Sequence, residues 1–187
     1  STLATMADIE PFLAALFVRE AQPLCPEHRR VAIDLDTAAA ARRVQAQFGG
    51  ARVILAWSCW SESTEHYLGL RDELARDGYR RIWLDGQARD IDSVPPSALG
   101  PERRARVIID RCNSGSGDSA RLASAIEAAW QRSGGSCEVF PEREEASELL
   151  QLRRGRSCPE CARPLGKASM GLFSYESALG ACPACKG

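Results

Sequence analysis

The spacing of apolar side chains divides the chain into three parts. In residues 5–20, side chains such as Ile9, Leu13 and Phe17 recur at intervals of three and four, which predicts an amphipathic helix that Pro23 ends. From residue 30 to about residue 157, short apolar runs alternate with helical periods, whereas the remainder is loop-rich. We therefore expect domain boundaries at residues 1–29, 30–157 and 158–187.

Three helices are predicted in the middle part from the residues that begin and end them. Short polar side chains can accept a hydrogen bond from the first helical turn, and Asp36 or Thr37, Thr64 and Asp118 stand at such positions. Glycines follow each periodic stretch and suit a helix end. The predicted helices cover residues 36–48, 64–78 and 118–133.

Strands are predicted between these helices, where β-branched and apolar residues form short runs. Asp85-Gly86 is a strong signal for a two-residue hairpin turn. The order of elements indicates an α/β or α+β fold, with sheet and helices mixed in one domain of roughly 125 residues. The predicted strands are 52–57, 79–84, 87–91, 104–110 and 137–140.

Composition and charge narrow the function. No apolar run approaches the roughly 20 residues of a membrane span, and no secretory signal is visible. The net charge of −1 gives no overall attraction to nucleic acid, so any such binding must come from local patches. The chain begins without Met, and we expect it to be a piece of a larger protein.

Cysteine pairs carry the strongest chemical signal. Cys158 and Cys161 form one CxxC pair, Cys182 and Cys185 form another, and two such pairs can supply the four thiolates of a structural zinc site. Thiolate-bound metal fits a reducing cytoplasm better than disulfides do. Redox-active or buried thiols are the alternative, but neither pair stands at the strand-to-helix junction of a thioredoxin-like motif.

A third pair of the same form precedes the middle part. Cys25-Pro26-Glu27-His28 repeats the pattern with His in place of the second Cys. Cys25 and His28 can join Cys158 and Cys161 on one ion, which leaves Cys182 and Cys185 to complete a second site with residues elsewhere. Alternatively, the four C-terminal cysteines hold one ion by themselves. One zinc ion is expected, or two if both groups bind.

Enzyme chemistry has weak support. Cys59 and His66 are candidates for a nucleophile and its base, but no third residue that would orient the base is evident. Gly166-Lys167 lacks the remaining residues of a phosphate-binding GxxxxGK[ST] loop, and no LSGG signature occurs. We assign no catalytic residue and expect no ATP hydrolysis by this chain alone.

Several segments of the chain carry a family resemblance. The C-terminal segments CPECA, LFSYE and GACPACKG are similar to CPxCG, LFSFN and GACPxCxG of the UvrA family of excinuclease subunits. The N-terminal STLATMADIEPFLAALFVRE resembles STVGTVTEIYDYLRLLFAR, and LCPEH resembles CPxH or CPxC. In the middle, GYRRIWLDGQ is similar to GFxRVRIDGE, with Gln87 where the family has an acidic residue, and ARVIIDR is similar to EVVVDR.

The resemblance implies a function within a larger machine. UvrA is a dimeric ABC-class ATPase of bacterial cytoplasm that locates damaged DNA in nucleotide excision repair, and it carries an inserted domain that docks UvrB. The resemblance therefore implies that UvrB or a related protein is the partner and that zinc is the cofactor. It implies that ATP and DNA are bound only in the context of the full-length parent. It implies no membrane partner. A free-standing zinc-ribbon protein that binds nucleic acid is the alternative.

Arginines mark two candidate surfaces. Arginine is common at interface hot spots because its planar fork pairs with carboxylates, although an exposed sheet edge carries such charges too. A basic cluster near the cysteine pairs can neutralise DNA phosphates, or it is simply a solvated face. The candidate partner contacts are Arg80, Arg81, Arg89 and Arg111, and the candidate DNA contacts are Arg153, Arg154, Arg156 and Lys167.

Overall fold

The computed structural model describes residues 7–142 and 148–185. The chain divides into two compact units, one formed by residues 1–33 and 156–187 and the other by residues 34–155. We call them the knuckle unit and the sheet unit. None of the helices in the described residues has the length and apolar character that a membrane crossing requires.

The described residues of the sheet unit form three α-helices and a six-stranded sheet. The helices are α2 (Thr37–Phe48), α3 (Thr64–Arg76) and α4 (Ser119–Ser133). The sheet has the order β4-β3-β5-β2-β6-β7, and every neighbouring pair is antiparallel. The predicted α+β class is confirmed. The strands are β2 (Arg52–Trp60), β3 (Arg81–Leu84), β4 (Gln87–Asp90), β5 (Arg104–Asn113), β6 (Ser136–Pro141) and β7 (Leu150–Arg153).

The knuckle unit is built from short elements. Its described residues include the helix α1 (Glu10–Glu20) and a 3-10 turn at Met170–Phe173. The rings of Phe17 and Phe173 stack with their centroids 5.4 Å apart, which joins these two elements. The short strands β1 (Ile33–Leu35) and β8 (Gly155–Ser157), which contain the two boundaries between the units, pair with each other.

Side chains on the two faces of the sheet form separate clusters. On one face, Trp57 and Val107 pack with Tyr67 and Leu74 of α3, while α4 packs against β2, β5 and β6 with α2 beside it. The opposite face has a buried cluster of strand residues alone, against which Leu149 packs. We call this second side the open face. Its buried core consists of Ile54, Ala56, Ile108 and Phe140.

A bulge in β5 decides which side chains reach the open face. Leu55 pairs with Asp110 and Ala56 pairs with Ile108, so Ile109 has no partner on β2. The extra residue reverses the alternation of β5 at this point. Arg111 pairs with Ile54 and therefore lies on the same face as that residue, the open face.

Some predicted boundaries are wrong in detail. The N-terminal helix begins at Glu10, with Ala7 to Ile9 outside it, and the start predicted at residue 5 lies outside the described residues. Ser63 rather than Thr64 caps α3, because its Oγ accepts from the His66 amide at 3.0 Å. Asp118 precedes α4 as predicted but makes no capping hydrogen bond with its side chain.

Some strands extend further than their apolar runs suggested, whereas β3 begins two residues later and β4 ends one residue earlier than predicted. β2 continues to Trp60 and β5 to Asn113, because pairing with a neighbouring strand stabilises polar positions too. β7, β1 and β8 were not predicted. The type of turn at Asp85-Gly86 is confirmed, since both residues have positive φ, 50° and 73°, as a type I′ turn requires.

Candidate metal centre and docking face

Two turns of the knuckle unit follow the same backbone path. We call residues 25–30 the first knuckle and residues 158–163 the second knuckle. In each, the amide of the leading cysteine donates to the carbonyl five residues later at 2.9 Å, and its carbonyl accepts from the amide four residues later at 2.9 or 3.0 Å. In both knuckles, the residue whose amide makes this second hydrogen bond has a left-handed backbone conformation, with φ 55° at Arg29 and 54° at Ala162.

The same local sequence explains the shared path. Both knuckles read Cys-Pro-Glu, and the proline ring fixes φ for the turn that follows the leading cysteine. Residues on either side then form an antiparallel bridge, Leu24 with Val31 and Ser157 with Pro164. Each knuckle is therefore a small hairpin that presents its first and fourth side chains together.

Four of the predicted metal ligands meet in the knuckle unit. The ligand atoms of Cys25, His28, Cys158 and Cys161 all lie within 4.8 Å of one another. The Cys25 Sγ is 3.6 Å from the His28 Nδ1 and 3.9 Å from the Cys161 Sγ. Tetrahedral zinc with ordinary bond lengths separates sulfur from nitrogen by about 3.6 Å and sulfur from sulfur by about 3.8 Å. The cluster therefore has the dimensions of a tetrahedral site.

Hydrogen bonding favours a thiolate at Cys25 of this cluster, whereas burial opposes it. Cys25 and Cys158 are fully buried, Cys161 is half-buried and His28 is exposed. The backbone amide of His28, the main cause, lowers the pKa of Cys25 to about 6, against the opposing effect of burial. At Cys161 the Arg163 amide lowers the pKa, but burial and the neighbouring thiols Cys158 and Cys25 outweigh it and leave the pKa raised. Deprotonated thiols are the form that binds metal.

The remaining cysteine pair lies apart from this cluster. Cys182 and Cys185 are exposed, and no group of three or more potential ligands within residues 7–142 and 148–185 includes them. The backbone amide of Cys185 is the main cause that lowers the pKa of Cys182. Their assignment as metal ligands stays a prediction.

The open face of the sheet is organised by one carboxylate. Glu138 is 7% exposed and forms ion pairs with Arg104 and with Arg106, whose Nε lies 2.9 Å from Glu138 Oε2. The Ser58 hydroxyl donates to Glu138 Oε1 at 2.7 Å and accepts from Arg104 Nε at 2.7 Å. These contacts fix two guanidinium groups on the open face.

Aromatic rings border the same two arginines. The guanidinium carbon of Arg104 lies 5.7 Å from the centre of the Trp60 ring, and that of Arg106 lies 5.8 Å from the Phe140 ring. Trp60 is 60% exposed, and Trp83 packs on Phe140 with ring centroids 5.3 Å apart. Arginines and large aromatic side chains are the residue types enriched at interface hot spots.

The four arginines predicted as partner contacts lie in different settings. Arg81 is exposed and pairs with Asp90 across the hairpin, so it lies on the face opposite Ile82, the open face. Arg111 also lies there and forms an ion pair with Glu142 at 3.1 Å. Outside this face, Arg80 binds Asp92 at 2.9 Å, and Arg89 lies 3.5 Å from the Asp85 carboxylate.

Sequence reasoning missed Arg104 and Arg106. The signal was present, because these residues alternate with Ala105 and Val107 and such alternation places both arginines on one face of a strand. What the sequence did not reveal is that the bulge at Ile109 adds Arg111 to the same face.

The residues predicted to contact DNA are shared between the two units. In the sheet unit, Arg153 donates to Ser136 Oγ at 2.8 Å, and Arg154 donates to Glu127 Oε1 at 3.0 Å. In the knuckle unit, Arg156 belongs to β8 and Lys167 is exposed. Their role in DNA binding stays a prediction.

The candidate catalytic pair does not form a nucleophile and base. Burial raises the pKa of the Cys59 thiol to about 11, and its Sγ donates to the Ala105 carbonyl at 3.5 Å. The Nδ1 atom of His66 is occupied by the Glu62 amide at 3.1 Å. A protonated thiol is a poor nucleophile, so these contacts support a packing role for Cys59.

Together these features define a class of protein, an α+β sheet domain whose sequence lies between two knuckles that carry a cluster of four potential metal ligands. The family model described as UvrA interaction domain matches residues 37–143, so the chain belongs to that family. UvrABC system protein A from Salmonella typhimurium is 30% identical to this chain and that from Escherichia coli K12 is 29% identical, over all 187 residues. The same protein from Pasteurella multocida is 28% identical. The chain spans 20% of the length of each of these relatives.

Proposed function

We propose that this chain is the UvrB-docking part of a UvrA protein of nucleotide excision repair, and that the open face of its sheet makes the contact. The observation that carries the proposal is the family match, which covers the helices and the first five strands of the sheet unit. The full-length parent would supply ATP hydrolysis, dimerisation and damage recognition. Arg153, Arg154, Arg156 and Lys167 are proposed to contact DNA in that context.

The chemistry of the open face supports docking to an acidic surface. Arg81, Arg104, Arg106 and Arg111 lie on it, and the only carboxylate buried beneath them among the described residues is Glu138. Trp60 is exposed beside Arg104 and offers apolar area as well. A partner with carboxylates around an apolar centre matches this arrangement.

The docking proposal is tested by charge reversal at an exposed position. Arg81→Glu should weaken binding of the 187-residue chain to UvrB of the same organism by about 30-fold or more, since reversal replaces an attraction by a repulsion. Arg42→Glu on α2 makes the same change in net charge away from the open face and serves as the matched control. Titration calorimetry measures both.

The result decides between a local and a general effect of charge. An equal loss for Arg81→Glu and Arg42→Glu would show that overall charge, not the open face, governs binding. Absence of UvrB binding by the unmodified chain, with tight binding of duplex DNA, would favour the free-standing nucleic-acid-binding alternative.

We further propose that Cys25, His28, Cys158 and Cys161 hold one structural zinc ion. Three sulfurs and one imidazole nitrogen form a donor set that zinc favours, and four protein ligands leave no position for a reacting water. The ion would crosslink the two knuckles, which are 133 positions apart in the sequence when counted from Cys25 to Cys158. Cys182 and Cys185 remain proposed ligands of a second ion completed by residues elsewhere in the parent.

Two single substitutions distinguish the two arrangements of ligands. Under the proposal, Cys25→Ser lowers the zinc content of the purified chain and Cys182→Ser leaves the knuckle ion in place. If the four C-terminal cysteines held the ion instead, Cys182→Ser would remove it and Cys25→Ser would not. Elemental analysis after dialysis against metal-free buffer gives the count.

A further inference from the structure

The two knuckles are joined by a reciprocal pair of ionic contacts. Glu27 of the first knuckle binds Arg163 of the second at 2.5 Å, and Arg30 of the first binds Glu160 of the second at 3.3 Å. In each knuckle the glutamate stands two positions after the leading cysteine and the arginine stands five positions after it. The contacts are therefore equivalent under exchange of the two knuckles.

The backbone of the knuckles places these four side chains. The carbonyls of Arg30 and Arg163 accept the amides of the leading cysteines, so each arginine is anchored at the base of its own hairpin. Each glutamate lies in its turn, between the two metal-ligating positions. The side chains are about half exposed, from 47% to 65%, so water and salt reach them.

We propose that Glu27, Arg30, Glu160 and Arg163 form an electrostatic clasp that brings the two knuckles into register before a metal binds. The inference rests on the proposed metal site formed by both knuckles. Without an ion, other contacts must hold the four potential ligands together, and two of these ligands are buried thiols. The clasp supplies two ion pairs that cross directly from one knuckle to the other. Pre-organisation of this kind raises affinity because less order has to be imposed on binding.

Reversing the charge of Arg30 distinguishes a clasp between the knuckles from direct electrostatic attraction of the metal ion. Arg30→Glu makes the surroundings of the site more negative, which alone would strengthen binding of a divalent cation. A clasp predicts the opposite, because the carboxylate introduced at position 30 would repel Glu160. We expect Arg30→Glu to weaken Zn²⁺ binding by about 3- to 10-fold at low ionic strength, as exposed ion pairs allow. Reversal at Arg19 of α1, whose side chain is 84% exposed, as Arg19→Glu, is the matched control and should not weaken binding.

A charge swap then tests pairing directly. The double variant Arg30→Glu with Glu160→Arg restores an opposite pair at unchanged net charge, and Zn²⁺ affinity should recover to within about 2-fold of the unmodified chain. All differences should disappear in about 1 M salt, where the screening length falls to about 3 Å. Competition of the 187-residue chain with a chromophoric chelator, at fixed pH, measures each affinity.

Each outcome has a definite meaning. Equal affinity of the unmodified chain and Arg30→Glu, or failure of the swap to recover, overturns the clasp while leaving the metal site intact. Loss of Zn²⁺ binding on Cys182→Ser but not on Cys25→Ser overturns both the metal site and the clasp. Weakening by Arg30→Glu, recovery by the swap and loss of the effect in high salt support the clasp.

Discussion

Removal of the charge at Glu138 tests whether the open face depends on one buried carboxylate. Glu138→Gln keeps the size of the side chain but replaces an acceptor that binds Ser58, Arg104 and Arg106. Gln presents an amide donor toward groups that also donate. The buried network therefore loses its charge balance and some of its hydrogen bonds.

The size of the effect follows from burial. A hydrogen bond to a charged group contributes about 1.5–3 kcal/mol, and loss of one member of a buried pair costs about 3–5 kcal/mol. Arg104 and Arg106 retain 24% and 22% of their side-chain exposure, so water relieves part of the loss. We expect Glu138→Gln to lower the free energy of unfolding by about 3 kcal/mol.

Urea denaturation followed by tryptophan fluorescence measures this change. For a slope of about 2 kcal/mol per molar urea, the midpoint should fall by about 1.5 M. Glu127→Gln is the matched control, because Glu127 pairs with Arg154 at 3.0 Å but keeps 33% exposure, and its loss should be at most about 1 kcal/mol. If Glu138→Gln costs no more than Glu127→Gln, the buried network contributes no more than an exposed ion pair and the reasoning is refuted.

Two further predictions concern the helices of the sheet unit. Asp36→Ala should lower the free energy of unfolding by about 1 kcal/mol, because Asp36 Oδ1 accepts a hydrogen bond from the Ala39 amide. Asp118→Ala should lower it clearly less, since the Asp118 side chain makes no capping hydrogen bond. Equal losses of stability in thermal unfolding would contradict this expectation. Arg121 donates twice to Asp110 at 2.7 Å and lowers the pKa of that carboxyl. Stability from the pair is therefore present above the ordinary pKa of about 3.9 and is lost as pH falls through the lowered value. Arg121→Ala should lower the free energy of unfolding at pH 7 and lower it progressively less in acid, while a loss that is constant from pH 7 to pH 2 would exclude this linkage.

The sequence predicted the helices of the sheet unit well because their signals are local. Asp36, one of the two predicted caps, precedes α2, and Gly49 ends this helix with φ 55° as predicted. The predicted cap of α3, Thr64, was wrong by one position, and Ser63 is the cap in the structure. Both side chains can accept the capping hydrogen bond, so the residue type alone does not select between them. Asp118 has the right residue type at the right place without the expected bond.

Features that depend on distant partners were not predictable in the same way. β7 alternates apolar and polar residues over only four positions, too few to predict a strand, and its pairing with β6 places Leu152 in the core. The four potential metal ligands were all named from the sequence, but the spacing alone left two groupings open. The structure brings Cys25 and His28 to Cys158 and Cys161 because two distant hairpins meet, which no local pattern records.

The unpaired residue in β5 has a consequence for how this region can change through evolution. Deletion of Ile109 would remove the bulge but leave Asp110 opposite Leu55 and Arg111 opposite Ile54, so neither side chain would change face. At the present length, a regular β5 without the bulge would instead place Arg111 toward the helices and Cys112 toward the open face. Related sequences that lack one residue here should therefore keep the same polarity at the positions that follow, because the bulge absorbs the change in length.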